Sequence, residues 1–225
     1  MTCRAVPCPP RLAAMRRFVC APLLLACAAT LPACAAMRPA NSVIPSPARD
    51  WRSVATSGDR NRLRNWRTAF TAALAAARNA GHGAEIAREG ALLDPDAALG
   101  GGPIPDGDYR CRVIKLGARS QGLLDYIAYP GFTCRIGRDG DLQDFAKLTG
   151  SQRHIGLVYP GDAMRQVMLG TLVLGDEQRA MQYGRDTERD VAGFVERVGA
   201  DRWRLVLPYP HFESLTDVIE LVPVR

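Results

Sequence analysis

The chain has 225 residues, 47% of them apolar and 23% charged, with a formal net charge of +6. That length and balance exclude a disordered or fibrous protein and allow one sizeable domain with an appendage. The positive charge carries no nucleic-acid reading. Arg4, Arg11, Arg16 and Arg17 lie in the first 34 residues, which hold no acid, so the rest of the chain carries only +2, and no basic cluster is interleaved with aromatics. Of 29 basic residues only Lys115 and Lys147 are lysines, as suits a compositionally biased genome.

Residues 1–34 read as an export signal, with Met15 as an alternative start. Met15-Arg16-Arg17 supplies a charged region, and Phe18 to Leu31 is an apolar run of about 14 residues, short of the roughly 20 that span a bilayer. Leu31-Pro32-Ala33-Cys34 resembles the lipobox of bacterial lipoproteins, apart from its proline. On that likeness Cys34 is the acylated first residue of a lipoprotein anchored in the periplasm or cell envelope. An A-x-A site at Ala33-Cys34-Ala35 is the competing reading and gives a soluble, exported protein. Five of the seven cysteines fall in this leader; the remaining pair, Cys111 and Cys134, is expected to form a disulfide in an oxidising compartment.

Residues 35–49, rich in proline and small polar side chains, read as a flexible tether. Residues 50–106 read as a helical part. Thr56-Ser57-Gly58-Asp59 is a capping box ahead of one stripe through Leu63, Trp66, Phe70, Ala73, Leu74 and Ala77, stopping near Gly81. A second helix spans Gly83 to Leu93, and AALGGGPIPDGD follows as a Gly/Pro linker. Its three glycines lack the flanking strand and Lys-Ser or Lys-Thr of a phosphate loop.

From residue 107 the period changes to two. Tyr109, Cys111 and Val113 alternate with Arg110 and Arg112, and Phe132, Cys134 and Ile136 with Thr133 and Arg135. Asp139-Gly140 marks a tight turn, and further strands follow near Leu142–Leu148, Gln152–Tyr159, Gln166–Leu174, Val191–Val198, Arg202–Leu207 and Asp217–Val222, with a short one near Met181–Gly184. The hairpin Val191–Pro208 has two registers. Placing Glu196 opposite Arg204 avoids setting Arg197 against Arg204, and opposite charges across a strand pair are favoured by about 0.2 to 1 kcal/mol. Residues 107–225 therefore predict an antiparallel β-barrel of about eight strands, with glycines Gly137, Gly156, Gly170 and Gly193 at its bends. The fold class is α+β, mainly β.

No catalytic constellation and no metal or cofactor motif stands out. His82, His154 and His211 lack ligand spacing, Ser151 and His154 fall on opposite strand faces, and Asp176, Glu177, Asp186, Glu188 and Asp190 lack an EF-hand pattern. The candidate ligand-binding residues are Ser151, Gln152 and Arg153 in the polar run from Thr149, Arg197 and Trp203 on the hairpin, and Glu213 in the loop before the last strand.

The phrases DYRCRVIKLG, TGSQR, LGDE, DRWRLVLPYPHFES and DVIELVP resemble a family of exported bacterial proteins catalogued as domain of unknown function 4893, over about Asp50 to the C-terminus. Gly107-Asp108-Tyr109 more loosely resembles the Gly-x-Trp opening of calycin (lipocalin-like) barrels, with Arg202 or Arg204 in place of the late arginine that covers the indole. The expectation is a non-enzymatic envelope protein that binds a small apolar ligand or an envelope partner. Alternatives are an envelope hydrolase using carboxylates such as Glu213 or Asp217, and a purely structural lipoprotein.

Overall fold

A computed structural model describes residues 49–129 and 131–225. The export segment 1–34, Cys34 and nearly all of the 35–49 tether lie outside the described residues. Four helices, α1 (Trp51–Val54), α2 (Ser57–Arg64), α3 (Trp66–Asn79) and α4 (Gly83–Glu89), and a 3-10 turn at Gly90–Leu93 precede the sheet. Nine strands follow: β1 (Gly107–Ala118), β2 (Tyr126–Ala128), β3 (Phe132–Asp139), β4 (Leu142–Lys147), β5 (Gln152–Tyr159), β6 (Arg165–Leu174), β7 (Asp190–Gly199), β8 (Arg202–Pro208) and β9 (Ser214–Pro223).

The capping box forms as read. Thr56 Oγ1 accepts from Asp59 N at 3.1 Å and donates to Asp59 Oδ2 at 2.8 Å. The single helix expected from the apolar stripe instead divides at Asn65, whose Nδ2 donates to Asn61 O at 3.0 Å and whose backbone leaves the helical region. Each half serves a different surface. Leu63 packs with Tyr159, Val167 and Leu169. Phe70, Ala73, Leu74 and Ala77 pack on Ile114, Leu116, Val206 and Val218, the outer side of β1, β8 and β9. Those three strands are thus buried on both faces, which explains their long apolar runs.

β1 and β3 to β9 pair in sequence order, all antiparallel, and β1 also pairs with β9 from Tyr109–Pro223 to Ala118–Ser214, closing an eight-stranded barrel. β2, absent from the sequence reading, extends β1 beyond the point where β3 leaves it. The expected short strand near Met181–Gly184 is irregular; Tyr183 Oη accepts from Thr56 N at 3.0 Å and donates to Asp59, clasping the capping box. The hairpin register is as chosen, Glu196 opposite Arg204 and Val195 opposite Leu205, with a bulge between Arg197 and Gly199.

Gly156 faces Gly170 across β5 and β6, and a Cβ on Gly170 would lie 2.1 Å from Ile155 O. No side chain fits there, so the two backbones approach closely at that point. The interior is filled across its middle by Phe145, Met168, Leu205 and the Cys111–Cys134 disulfide, all part of one buried cluster. The calycin analogy does not extend to the arginine. Arg202 pairs with Glu220 outside the barrel, Arg204 lies over Phe70, and Tyr109 instead meets Trp203 edge-on at 6.2 Å.

The expected linker Ala97–Asp108 is a strap across one barrel end as far as Asp106, and its last two residues open β1. Gln143 donates to Ile104 O at 2.7 Å, Ile104 N donates to Gln166 Oε1 at 2.9 Å, and Leu99 N donates to Arg197 O at 2.8 Å. These bonds hold the Ile104 side chain in the core.

Candidate functional site

A packed middle leaves the two ends of the barrel as its openings, and five of the six candidate residues divide between them. Ser151, Gln152 and Glu213 border a cleft of about 380 Å³ at one end, together with Val113, Tyr129, Phe132, Lys115, Lys147 and His154. Arg197 and Trp203 border a cleft of about 300 Å³ at the other. Arg153 lines neither; its Nη2 donates to Gly175 O and Glu177 O and ties the β5 start to the β6–β7 loop.

Strand alternation places Lys115 on the inner face of β1, directly opposite Asp217 on β9. Lys115 Nζ lies 3.0 Å from Asp217 Oδ2 and 3.2 Å from Glu213 Oε2. Burial works against the Lys115 charge, yet the two carboxylates more than offset it and raise its pKa. Burial pushes the Asp217 pKa up, against the pull of Lys115 and of Ser214, whose hydroxyl donates to its other oxygen. Glu213 holds a left-handed backbone, φ 69°, and closes the wall of the cleft; such a conformation in a non-glycine residue marks a strained, over-determined position.

Lys147 ends β4 with Nζ 3.7 Å from the centre of the Phe132 ring, and it donates to Thr149 O and Gln152 O, both at 2.8 Å. Burial first, then the neighbouring Lys115 and Arg153 charges, pushes it down to about 8. The carbonyls hold the ammonium, and it stays mostly charged at neutral pH. Gly150, at φ 91°, admits this arrangement: a Cβ there would lie 2.8 Å from Lys147 Nζ. The polar run Thr149 to Arg153 therefore has one part in shaping the cleft and another in tying loops.

His154 is buried beside both lysines, and its Nδ1 has no hydrogen-bond partner among the described residues. Burial, with Lys115 and Lys147, pushes its pKa down to about 3, so the ring is neutral. Ser151 and His154, expected on opposite faces, both border the cleft because Ser151 precedes the strand and lies in the turn. Outside the mouth the groove continues for about 170 Å³ past Leu123, Leu124 and Ile127. Sequence reasoning missed Lys115, Lys147 and His154. The available signal was that the only two lysines in an arginine-rich chain fall on inward positions of strands.

Three acidic residues between the end of β6 and the start of β7 are internal partners. Glu177 takes Arg189 at 2.7 Å, Asp186 lies 3.3 Å from the same arginine, and Asp190 accepts from Gly184 N. His82 stacks on Tyr126 at 5.3 Å. Among the described residues no group of three or more His, Cys, Asp or Glu side chains is placed to hold a metal ion.

No curated protein and no solved structure matches this chain. A family model described as a domain of unknown function (DUF4893) matches residues 51–221, from α1 into the closing strand, and the chain belongs to that family.

Proposed function

We propose that this is an exported envelope protein whose barrel is a non-enzymatic binding module, with the Lys115–Lys147 mouth as the seat of a small, largely apolar ligand bearing one neutral polar head. The observation that carries the reading is the unpartnered, buried Nδ1 of His154, a residue that borders the cleft walled by Val113, Tyr129 and Phe132. An unsatisfied buried polar atom costs roughly 1 to 3 kcal/mol, which a ligand hydroxyl would recover. Glu213 and Asp217 both pair with Lys115, and Lys147 is held by the Thr149 and Gln152 carbonyls, so the formal charges of the two lysines and two acids sum to zero, which favours a neutral head over an anion. The exposed Leu123 and Leu124 extend an apolar lip for the rest of the molecule.

An envelope hydrolase is the less favoured reading. Glu213 and Asp217 do converge on one ammonium, but only Glu213 lines the cleft, and a carboxylate pair acting on a bond must both reach it. Native mass spectrometry of the protein isolated from its own envelope fraction tests the proposal. The expected result is a bound small molecule that His154→Leu releases. Material free of any adduct, together with unmoved Tyr129 and His154 resonances across a screen of small alcohols and amphiphiles, would overturn it.

A further inference from the structure

The opposite end of the barrel has a different chemistry. Trp203 is 7% exposed; its indole Nε1 is buried with no acceptor among the described residues, and the residue borders the cleft under the Leu99–Ile104 strap. Arg197 is the register partner of Trp203 across β7 and β8 and points to the same side of the sheet. Its neighbours Arg165 and Arg204 are both committed to Glu196. Arg197 forms no ion pair among the described residues; its Nε donates to Gly199 O at 2.9 Å, and its two terminal nitrogens have no such acceptor. A bulge lies between Arg197 and Gly199, next to this side chain. Gly101 keeps the approach open, since a Cβ there would stand 3.4 Å from Arg197 Nη1.

We infer that this end is a second binding site, separate from the lysine mouth, that takes a small carboxylate: one oxygen accepts from Trp203 Nε1, the other from the Arg197 guanidinium, and the apolar remainder lies against Leu99, Ile104, Met164 and Val195. The class follows from the donors. An indole N–H and a guanidinium can only donate, and a carboxylate offers two acceptor oxygens and the opposite charge. The acid on the rim, Asp162, already accepts from Met164 N at 2.8 Å. About 300 Å³ suits a ligand of modest size. The site shares no residue with the lysine mouth, so either can fail without the other.

Hexanoate and hexanol are the probes, followed through the three tryptophan indole N–H signals of the full chain by NMR, with Trp203→Phe assigning the one that matters. Hexanoate is expected to move the Trp203 signal saturably, and hexanol to leave it. Arg197→Gln is expected to weaken hexanoate roughly tenfold or more, the scale of a lost charge-assisted hydrogen bond, and Arg197→Lys to restore part of it. Lys115→Met is expected to leave the titration unchanged. The proposal is overturned by a Trp203 signal that ignores hexanoate, by an equal response to hexanol, or by undiminished affinity in a folded Arg197→Gln protein.

Discussion

Glu196 and Arg204 face each other across β7 and β8 with neither side chain exposed, joined by Arg204 Nε to Glu196 Oε2 at 2.7 Å. Arg204 Nη2 lies 2.6 Å from the same oxygen without the alignment of a hydrogen bond. Nη1 donates to Ala91 O, Leu92 O and Asp94 O, so one side chain fastens the end of the 3-10 turn to the barrel wall. Replacing Arg204 with methionine leaves a buried carboxylate with only Arg165 and strands three carbonyls. A loss of about 3 to 5 kcal/mol is expected in urea unfolding. A loss below about 1 kcal/mol would mean that water reaches this layer.

The Cys111–Cys134 bridge joins β1 and β3 inside the barrel across a separation of 23 residues. In the chain-entropy account a loop of that length adds roughly 3 kcal/mol. The Cys111→Ala, Cys134→Ala double variant is expected to lose about that much, and reduction of the native protein to lower its urea midpoint by a similar margin. Equal midpoints with and without reductant would count against the bridge as a source of stability.

His154 gives the fold an acid sensitivity. Its folded pKa is lowered to about 3 by burial and the two lysines, from an ordinary 6.5. Below about pH 6.5 the unfolded chain takes up a proton that the folded one refuses, so stability falls with decreasing pH until about 3. The slope for one such group is about 1.4 kcal/mol per pH unit. Asp217, with its raised pKa, acts in the opposite sense, losing stability as pH rises above the usual carboxylate range. The difference between wild type and His154→Leu, measured by urea unfolding at pH 7.5 and pH 4.5, isolates the histidine. An identical pH dependence in the two proteins would show that the ring is hydrated.

Much of the barrel is legible because its signals are local. Inward Cys111 and Cys134, the Asp139-Gly140 turn and the choice of Glu196 over Arg197 as the partner of Arg204 each need only neighbouring residues and a period of two. The strap is not legible. Gly100 to Asp106 has no period, and it is held by Gln143 and Gln166, about 40 and 60 residues further on in the chain. Lys115, Lys147 and His154 meet for a similar reason: they sit on three different strands, and only the stagger of a closed sheet brings those strand ends to one mouth. The division at Asn65 follows from barrel surfaces that the helix sequence does not contain.

Gly150 offers a test of the lysine mouth that no ligand is needed for. Gly150→Ala must place a methyl group where Lys147 Nζ and the Phe132 ring already sit, at φ 91°. A loss above about 1 kcal/mol is expected in thermal or urea unfolding, because an alanine is strained at such a backbone angle whatever the space. A neutral result would say that the Lys147–Phe132 contact is loose.

The pairing of β1 with β9 also means that the barrel closes only with its last strand. Until residues 214–223 are in place, β1 and β8 both present open edges, and the wall against which α3 packs is incomplete. Closure joins positions on the order of a hundred residues apart, the kind of contact that slows folding and leaves strand edges exposed to other chains in the meantime. A chain ending before β9 would therefore be an aggregating species, and α3, however well formed, would have only β1 and β8 to rest on.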